Sequence, residues 1–289
     1  MLTKYLKTGL CTLLLGLSSG AESVAQKIIS NALTVTSSTT APPGTSVRIG
    51  QPAGDAGGAT SIRFKKNKKL KTEKPDERDR TPRQMGYYER DRDLGQTFTV
   101  GEEGFYLRRI TLKVNKAVLP GALGAPVSIQ LFEVTGTPVI HDNGTTSGRV
   151  VDWTDDPRAD DYLTGETYRS LAVFSGGRIP AGLQPQEYLH FQLLAPHSPY
   201  LEAHKQYAFL VLFDEARPDQ GLSLANNYWG KYPGGHAIRR EGKGTFPPKP
   251  NDQNDSSFPA SFSRRVAISP GSLGFPDVDT WRDFVFFLE

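Results

Sequence analysis

The sequence predicts an all-β fold, an antiparallel β-sandwich, on three observations. Short runs of β-branched and aromatic residues recur from residue 93 onward, clusters of Gly, Pro, Asn and Asp separate them, and no stretch sustains the 3.6-residue period of an amphipathic helix. Strands of that kind bury their apolar faces by stacking sheet on sheet. Gly (29) and Pro (21) make up about a sixth of the chain, enough for many turns and too little for general disorder. At 289 residues the chain has room for one large sandwich.

Residues 1–25 read as a secretory signal peptide. Lys4 and Lys7 supply a positive start, Leu10 to Leu17 an apolar stretch, and Ser23-Val24-Ala25 a small-x-small cleavage site, with Ser19-Gly20-Ala21 as a second cut. The apolar run is too short for a membrane span, and Cys11 lies inside it, which argues against a lipidated N-terminus. Cys11 is the one cysteine, so the chain after cleavage holds no disulfide and no cysteine-ligated metal. The formal charge of +3 falls to +2 without Lys4, Lys7 and Glu22, too little to argue for a nucleic-acid partner.

Residues 26–86 have the composition of a linker, first Ser, Thr, Pro and Gly and then charge, with few large apolar side chains to offset the entropy of ordering. Ser61 to Phe64 is the one strand-like run within it. Lys65, Lys66, Lys68, Lys69 and Lys71 follow, a solvated tether or a clamp for an acidic polysaccharide.

The domain, residues 87–289, opens with Asp93–Val114. Thr97 to Val100 alternate polar and apolar, Gly101 to Gly104 is turn material, and Phe105 to Val114 resumes the strand pattern, which predicts a hairpin. Leu107 and Ile110 are three apart, so a bulge is expected to absorb the change of phase. Val127 to Val134 is the next strand, with Val127, Ile129 and Leu131 on one face and Ser128, Gln130 and Phe132 on the other. A turn-rich excursion runs from Pro138 to Gly165, and strands return at Tyr168–Phe174, Glu187–Leu194 and Gln206–Asp214. In the second of these Leu189, Phe191 and Leu193 face inward, while Tyr188, His190 and Gln192 face outward. The third is almost continuously apolar, as a central strand covered on both faces would be. Leu222–Tyr228 and Gly235–Arg240 predict another hairpin, residues 241–270 a loop, and Asp283–Leu288 a closing strand.

One locus carries ligand chemistry. Tyr228, Trp229 and Tyr232 supply rings that stack on the apolar faces of sugars, while Asn227, His236, Arg239 and Arg240 supply donors for hydroxyl or anionic groups. The plain alternative makes Tyr228 and Trp229 rim residues, with one of the two arginines neutralised inward and the other solvated. The same residue types would serve β-elimination on an acidic polysaccharide, with Tyr228 or His236 taking the proton.

Asp152, Asp155 and Asp156, near Asp160 and Asp161, offer oxygen ligands for a structural calcium, although their spacing is not that of an EF-hand. Apart from that ion no cofactor is expected. His141, His190, His197, His204 and His236 are scattered without zinc-site spacing, and neither a phosphate loop nor a Gly-x-Ser-x-Gly elbow occurs. Asn143-Gly144-Thr145 and Asn254-Asp255-Ser256 fit the glycan-acceptor pattern.

The order of motifs resembles that of exported bacterial sandwich modules of the "choice-of-anchor" type: Gln96-Thr97-Phe98, a strand like Val127 to Phe132, the Tyr-led run Tyr207 to Leu212, the aromatic-Gly-Gly stretch Tyr232 to Gly235, and Asp283 to Phe286. The likeness covers residues 93–289. It implies a jelly-roll-like sandwich at the cell surface or outside the cell, and no catalytic residues. The expectation is therefore an all-β, jelly-roll-like antiparallel β-sandwich with a flexible N-terminal tail, secreted, periplasmic or on the cell surface. Its role would be non-catalytic binding of a polysaccharide or cell-surface glycan, with a polysaccharide lyase or a structural partner of envelope proteins as the alternatives.

Overall fold

The computed structural model describes residues 27–66, 88–136, 139–141, 162–164, 167–215, 217, 219–227, 232–241 and 283–289. In chain order the strands are β1 (Ile28–Ile29), β2 (Leu33–Ser38), β3 (Ile49–Gln51), β4 (Ala59–Lys66), β5 (Tyr88–Thr99), β6 (Phe105–Tyr106), β7 (Arg109–Val118), β8 (Pro126–Thr135) and β9 (Val139–His141). They continue as β10 (Tyr162–Thr164), β11 (Thr167–Arg178), β12 (Tyr188–Leu193), β13 (Tyr200–Leu201), β14 (Gln206–Phe213), β15 (Gly221–Asn227), β16 (Ala237–Glu241), β17 (Asp283–Phe284) and β18 (Phe286–Leu288). A single 3-10 turn, Pro120–Ala122, is the helical element among the described residues.

The main sheet follows the path β1-β11-β8-β14-β5-β4-β15-β7-β12-β2, antiparallel throughout except for β1 beside β11. Folded back on itself, this path makes two layers. Phe98, Ile129, Phe174 and Phe209 from one layer pack with Ile110, Leu112, Phe191, Leu224 and Phe286 from the other in one apolar core. Each large side chain removed from water there contributes about 1.5–3 kcal/mol. The chain is thus an antiparallel β-sandwich, the class its sequence predicts.

Alternation gives each strand its faces. In β14, Tyr207, Phe209, Val211 and Phe213 enter the main core, while Ala208, Leu210 and Leu212 join a second buried cluster with Phe132, Val134, Tyr168 and Ile238. This strand is covered on both sides, and its unbroken apolar run follows from that. In β12, Leu189, Phe191 and Leu193 are core residues, as the alternation requires.

Four expectations are corrected. Residues 28–66 are not linker, because they supply β1 to β4, with Leu33 and Ile62 in the core and Gln51 buried. A Ser/Thr-rich segment needs few apolar anchors when its backbone pairs with strands already present, and Thr suits the extended chain. Lys68, Lys69 and Lys71 lie outside the described residues. The two runs around Gly101–Gly104 form no hairpin, since β5 pairs with β14, β16 and β4, whereas β7 pairs with β12, β15 and β18. Likewise β15 and β16 pair with other strands and not with each other. A turn between two half-buried strands reads the same whether it returns to its own sheet or crosses to the other. The phase change at Leu107 falls in the break between β6 and β7, so no bulge is needed there: Leu107 and Ile110 are both fully buried.

Candidate functional site

The ligand cluster expected around residues 227–240 is drawn largely into the fold. Arg240 stands directly opposite Asp93 on β5 and is buried with it. Its Nε donates to Asp93 Oδ2 at 3.0 Å, its Nη2 lies 2.9 Å from the same oxygen, and its Nη1 donates to Gln130 Oε1 at 3.0 Å. A guanidinium so enclosed is spent on neutralising a buried carboxylate, so the ligand role expected for Arg240 is replaced by a structural one. Asn227 is fully buried, and its Nδ2 donates to the Ala53 carbonyl at 3.4 Å. Tyr232 is half-buried, edge-on to Phe286 at 5.3 Å, with its hydroxyl accepting from the Thr99 N–H. Its ring packs on the protein's own core.

His236 is half-buried beside Thr97, whose Oγ1 accepts from the His236 backbone N–H at 2.9 Å. Tyr228, Trp229 and the side chain of Arg239 lie outside the described residues, as do the calcium candidates Asp152, Asp155 and Asp156. Among the described residues no three His, Cys, Asp or Glu side chains group as a metal site.

What gathers Asn227, Tyr232 and His236 is Asp283. Gln96 Nε2 donates to its Oδ1 at 2.9 Å and the Tyr232 N–H to its Oδ2 at 2.7 Å. Burial raises the Asp283 pKa, while the Tyr232 N–H, Gln96, nearby His236 and Asn227 pull it back. Both oxygens are engaged in holding the closing strand to β5 and the 232–236 turn, a structural task.

A different surface presents aromatic rings to solvent. β6 and β13 pair with Tyr106 opposite Tyr200 and Phe105 opposite Leu201. Alternation sends Leu201 into the core and Phe105 against it, which leaves the tyrosines outside, 59% and 53% exposed. Their rings stand 5.1 Å apart, edge to face. Gly104 makes room for this pair: a Cβ there would come within 2.4 Å of Tyr200 Oη and 2.6 Å of the Leu201 carbonyl oxygen.

Both rings line a cleft of about 630 Å³ together with Arg48, Arg108, Arg109 and Gln192. A second hollow of about 410 Å³ shares Tyr106, Arg108 and Gln192 with it and reaches Pro196 and Ser198. The backbone beneath is tied on several sides. The Arg108 and Arg109 N–H groups donate to the Glu289 carbonyl at 2.7 and 3.1 Å, Leu193 N–H to the Arg108 carbonyl at 2.8 Å, and Leu107 N–H to the Pro199 carbonyl at 2.9 Å. Arg109 grips the Glu289 carboxylate through Nη2 at 2.8 Å and Nε at 2.7 Å, and Ser46 Oγ donates to the same carboxylate. Gln192 Nε2 donates to the Arg108 carbonyl at 3.0 Å, which leaves its side-chain oxygen as an acceptor.

Rings held at fixed spacing beside guanidinium and amide groups suit a ligand with apolar faces and a polar edge, and both hollows fall in the range of about 300–1,000 Å³ typical of ligand pockets. Tyr106 lies in a run that the sequence already marks as strand, but nothing local to Tyr200 reveals that the two rings meet. Compared with protein-family models, with curated proteins and with solved structures, the chain matches none of them.

Proposed function

We propose that the protein is an exported, non-catalytic carbohydrate-binding module whose ligand lies in the cleft at Tyr106 and Tyr200. The observation that carries this reading is the cross-strand pair of exposed tyrosines on the wall of a polar cleft. Carbon-bound hydrogens on a pyranose face pack against such rings, while its hydroxyls bond Gln192 and the arginines around the rim. The secretory pattern of residues 1–25 and the likeness to exported sandwich modules support a place outside the cytoplasm, in the periplasm, at the cell surface or beyond. The lyase alternative loses Asn227 and Arg240, which are enclosed by the fold.

The test is light scattering after size-exclusion chromatography, with the mature protein and a panel of neutral and acidic polysaccharides, before and after overnight incubation. Co-elution at constant polymer mass is expected, and Tyr106→Ala and Tyr200→Ala should each weaken it by about 2 kcal/mol, as for aromatic hot spots. Falling polymer mass would instead make the protein an enzyme. Absence of any interaction would turn attention to a protein partner in the envelope.

A further inference from the structure

The charges around the cleft narrow the ligand. Three arginines line it, and they differ in what they already hold. Arg109 is committed to the Glu289 carboxylate. Arg48 and Arg108 are exposed, and no carboxylate of the described residues lies within ion-pair distance of either. Both have their backbones fixed, Arg48 through its N–H to the Leu288 carbonyl at 2.8 Å and Arg108 through the contacts given above. Two exposed guanidiniums on fixed backbone, with no counter-charge among the described residues and set beside two exposed rings, favour an anion with a flat apolar face. A guanidinium holds a carboxylate or a sulfate through paired charge-assisted hydrogen bonds, which a neutral sugar cannot reciprocate.

The two hollows bear on ligand length. They share Tyr106, Arg108 and Gln192, so these residues stand between two adjoining hollows. A site that recognised a chain terminus would be closed on one side of its central residues. Here a hollow lies on either side of them, with Arg48, Arg109 and Tyr200 lining one and Pro196 and Ser198 the other.

We infer that the adjoining hollows take an internal segment of an anionic polysaccharide, its rings on Tyr106 and Tyr200 and its carboxylate or sulfate groups on Arg48 and Arg108. This rests on the carbohydrate-binding reading given above and adds charge selectivity and chain-internal recognition to it.

Calorimetry on the mature protein tests this with three sets of oligosaccharides of two to eight sugars: oligogalacturonates, their fully methyl-esterified neutral counterparts, and chondroitin sulfate fragments. At least one acidic set should bind about tenfold or more tighter than the neutral esters, the scale of one charge-assisted hydrogen bond. Affinity should rise with length until both hollows are filled, and borohydride reduction of the chain end should leave it unchanged. Arg48→Gln/Arg108→Gln should bring acidic and neutral ligands to within about twofold, with neutral binding retained. Because chondroitin sulfate carries uronate carboxylates as well as sulfates, binding confined to it would assign the recognised charge to sulfate, and binding of the oligogalacturonates would assign it to carboxylate. Equal affinity for acidic and neutral chains, or acidic binding that survives the double variant, would overturn charge selectivity and leave the carbohydrate reading standing. Loss of affinity on end reduction would overturn chain-internal recognition. Binding of none of the three sets would overturn this inference, and failure across the wider polysaccharide panel would overturn the carbohydrate reading as well.

Discussion

Gln96 and Asp283 stand 187 residues apart in the chain, yet a hydrogen bond of 2.9 Å joins them inside the core. Gln96 shares its strand face with the core residues Leu94 and Phe98, and its side-chain oxygen accepts from the Phe284 N–H at 3.0 Å. One inward amide thereby fastens the closing strand to β5. Gln96→Leu keeps the volume and removes both bonds, leaving a backbone donor and a carboxylate oxygen short of partners. The expected loss is about 2–4 kcal/mol, read from the urea midpoint, with the Phe284 amide exchanging early. An unchanged midpoint would show that the tie adds nothing to stability.

Asp283 should also leave a signature in pH. Burial, the largest influence, raises its pKa above the ordinary value of 3.8. The folded state then keeps this proton to higher pH than the unfolded chain does. Its stabilising effect is fully present below 3.8 and is lost as pH rises through the raised folded value. Unfolding of the wild type and of Asp283→Asn, compared from pH 3.5 upward, isolates the effect from other carboxylates. The wild type should lose stability relative to the variant as pH rises, and a difference that is flat or grows would contradict the assignment.

The Arg240–Asp93 pair calls for a double-mutant cycle. Arg240→Met leaves a buried carboxylate without its cation and should cost about 3–5 kcal/mol. Asp93→Leu in the same chain removes the stranded charge, so the double variant should recover most of that loss. Additive costs would mean that the two side chains act independently, in conflict with their 2.9 Å contact.

What was legible in the sequence was local. The alternation of Val127, Ile129 and Leu131 against Ser128, Gln130 and Phe132 gives the faces of β8 correctly, and the apolar run from Tyr207 marks β14 as doubly covered. What was hidden depended on partners distant in the chain. Leu33 and Ile62 sit in Ser- and Thr-rich surroundings and become core residues because β2 and β4 find β12, β15 and β5. Local sequence does not say which of Arg239 and Arg240 turns inward; for Arg240 the answer comes from Asp93, 147 residues away, which meets it across a strand pair. Tyr106 and Tyr200 acquire meaning only as neighbours, and Tyr200 lies in a two-residue strand too short for any period to show.

His190 sets a second pH response, of opposite sign. It bridges Ser38 Oγ at 2.8 Å and Thr111 Oγ1 at 2.9 Å, so it links β2, β12 and β7. Burial and then the Arg109 charge lower its pKa below 6.5, with Glu289 opposing them. The neutral ring's contribution is present above 6.5 and is lost as pH falls through the lowered folded value. Hydrogen exchange at pH 7.5 and 5.5 should show β2 losing protection on acidification in the wild type, and losing less in His190→Gln. Equal responses in the two proteins would place the pH sensitivity elsewhere.

Gly104 offers a way to disturb the tyrosine pair without removing either ring. A methyl group there cannot coexist with the present positions of Tyr200 Oη and the Leu201 carbonyl, at 2.4 and 2.6 Å from the added Cβ. β13 must then shift away from β6. Because the two form a two-residue ladder at the edge of the fold, Gly104→Ala should lower stability by only about 1 kcal/mol. The near-ultraviolet signal of the paired tyrosines should change, and polysaccharide affinity should fall as far as in Tyr200→Ala. A shifted tyrosine signal with full affinity would take Tyr200 out of the binding site, whereas loss of both signal and affinity with the unfolding midpoint nearly kept would tie recognition to the spacing of the two rings.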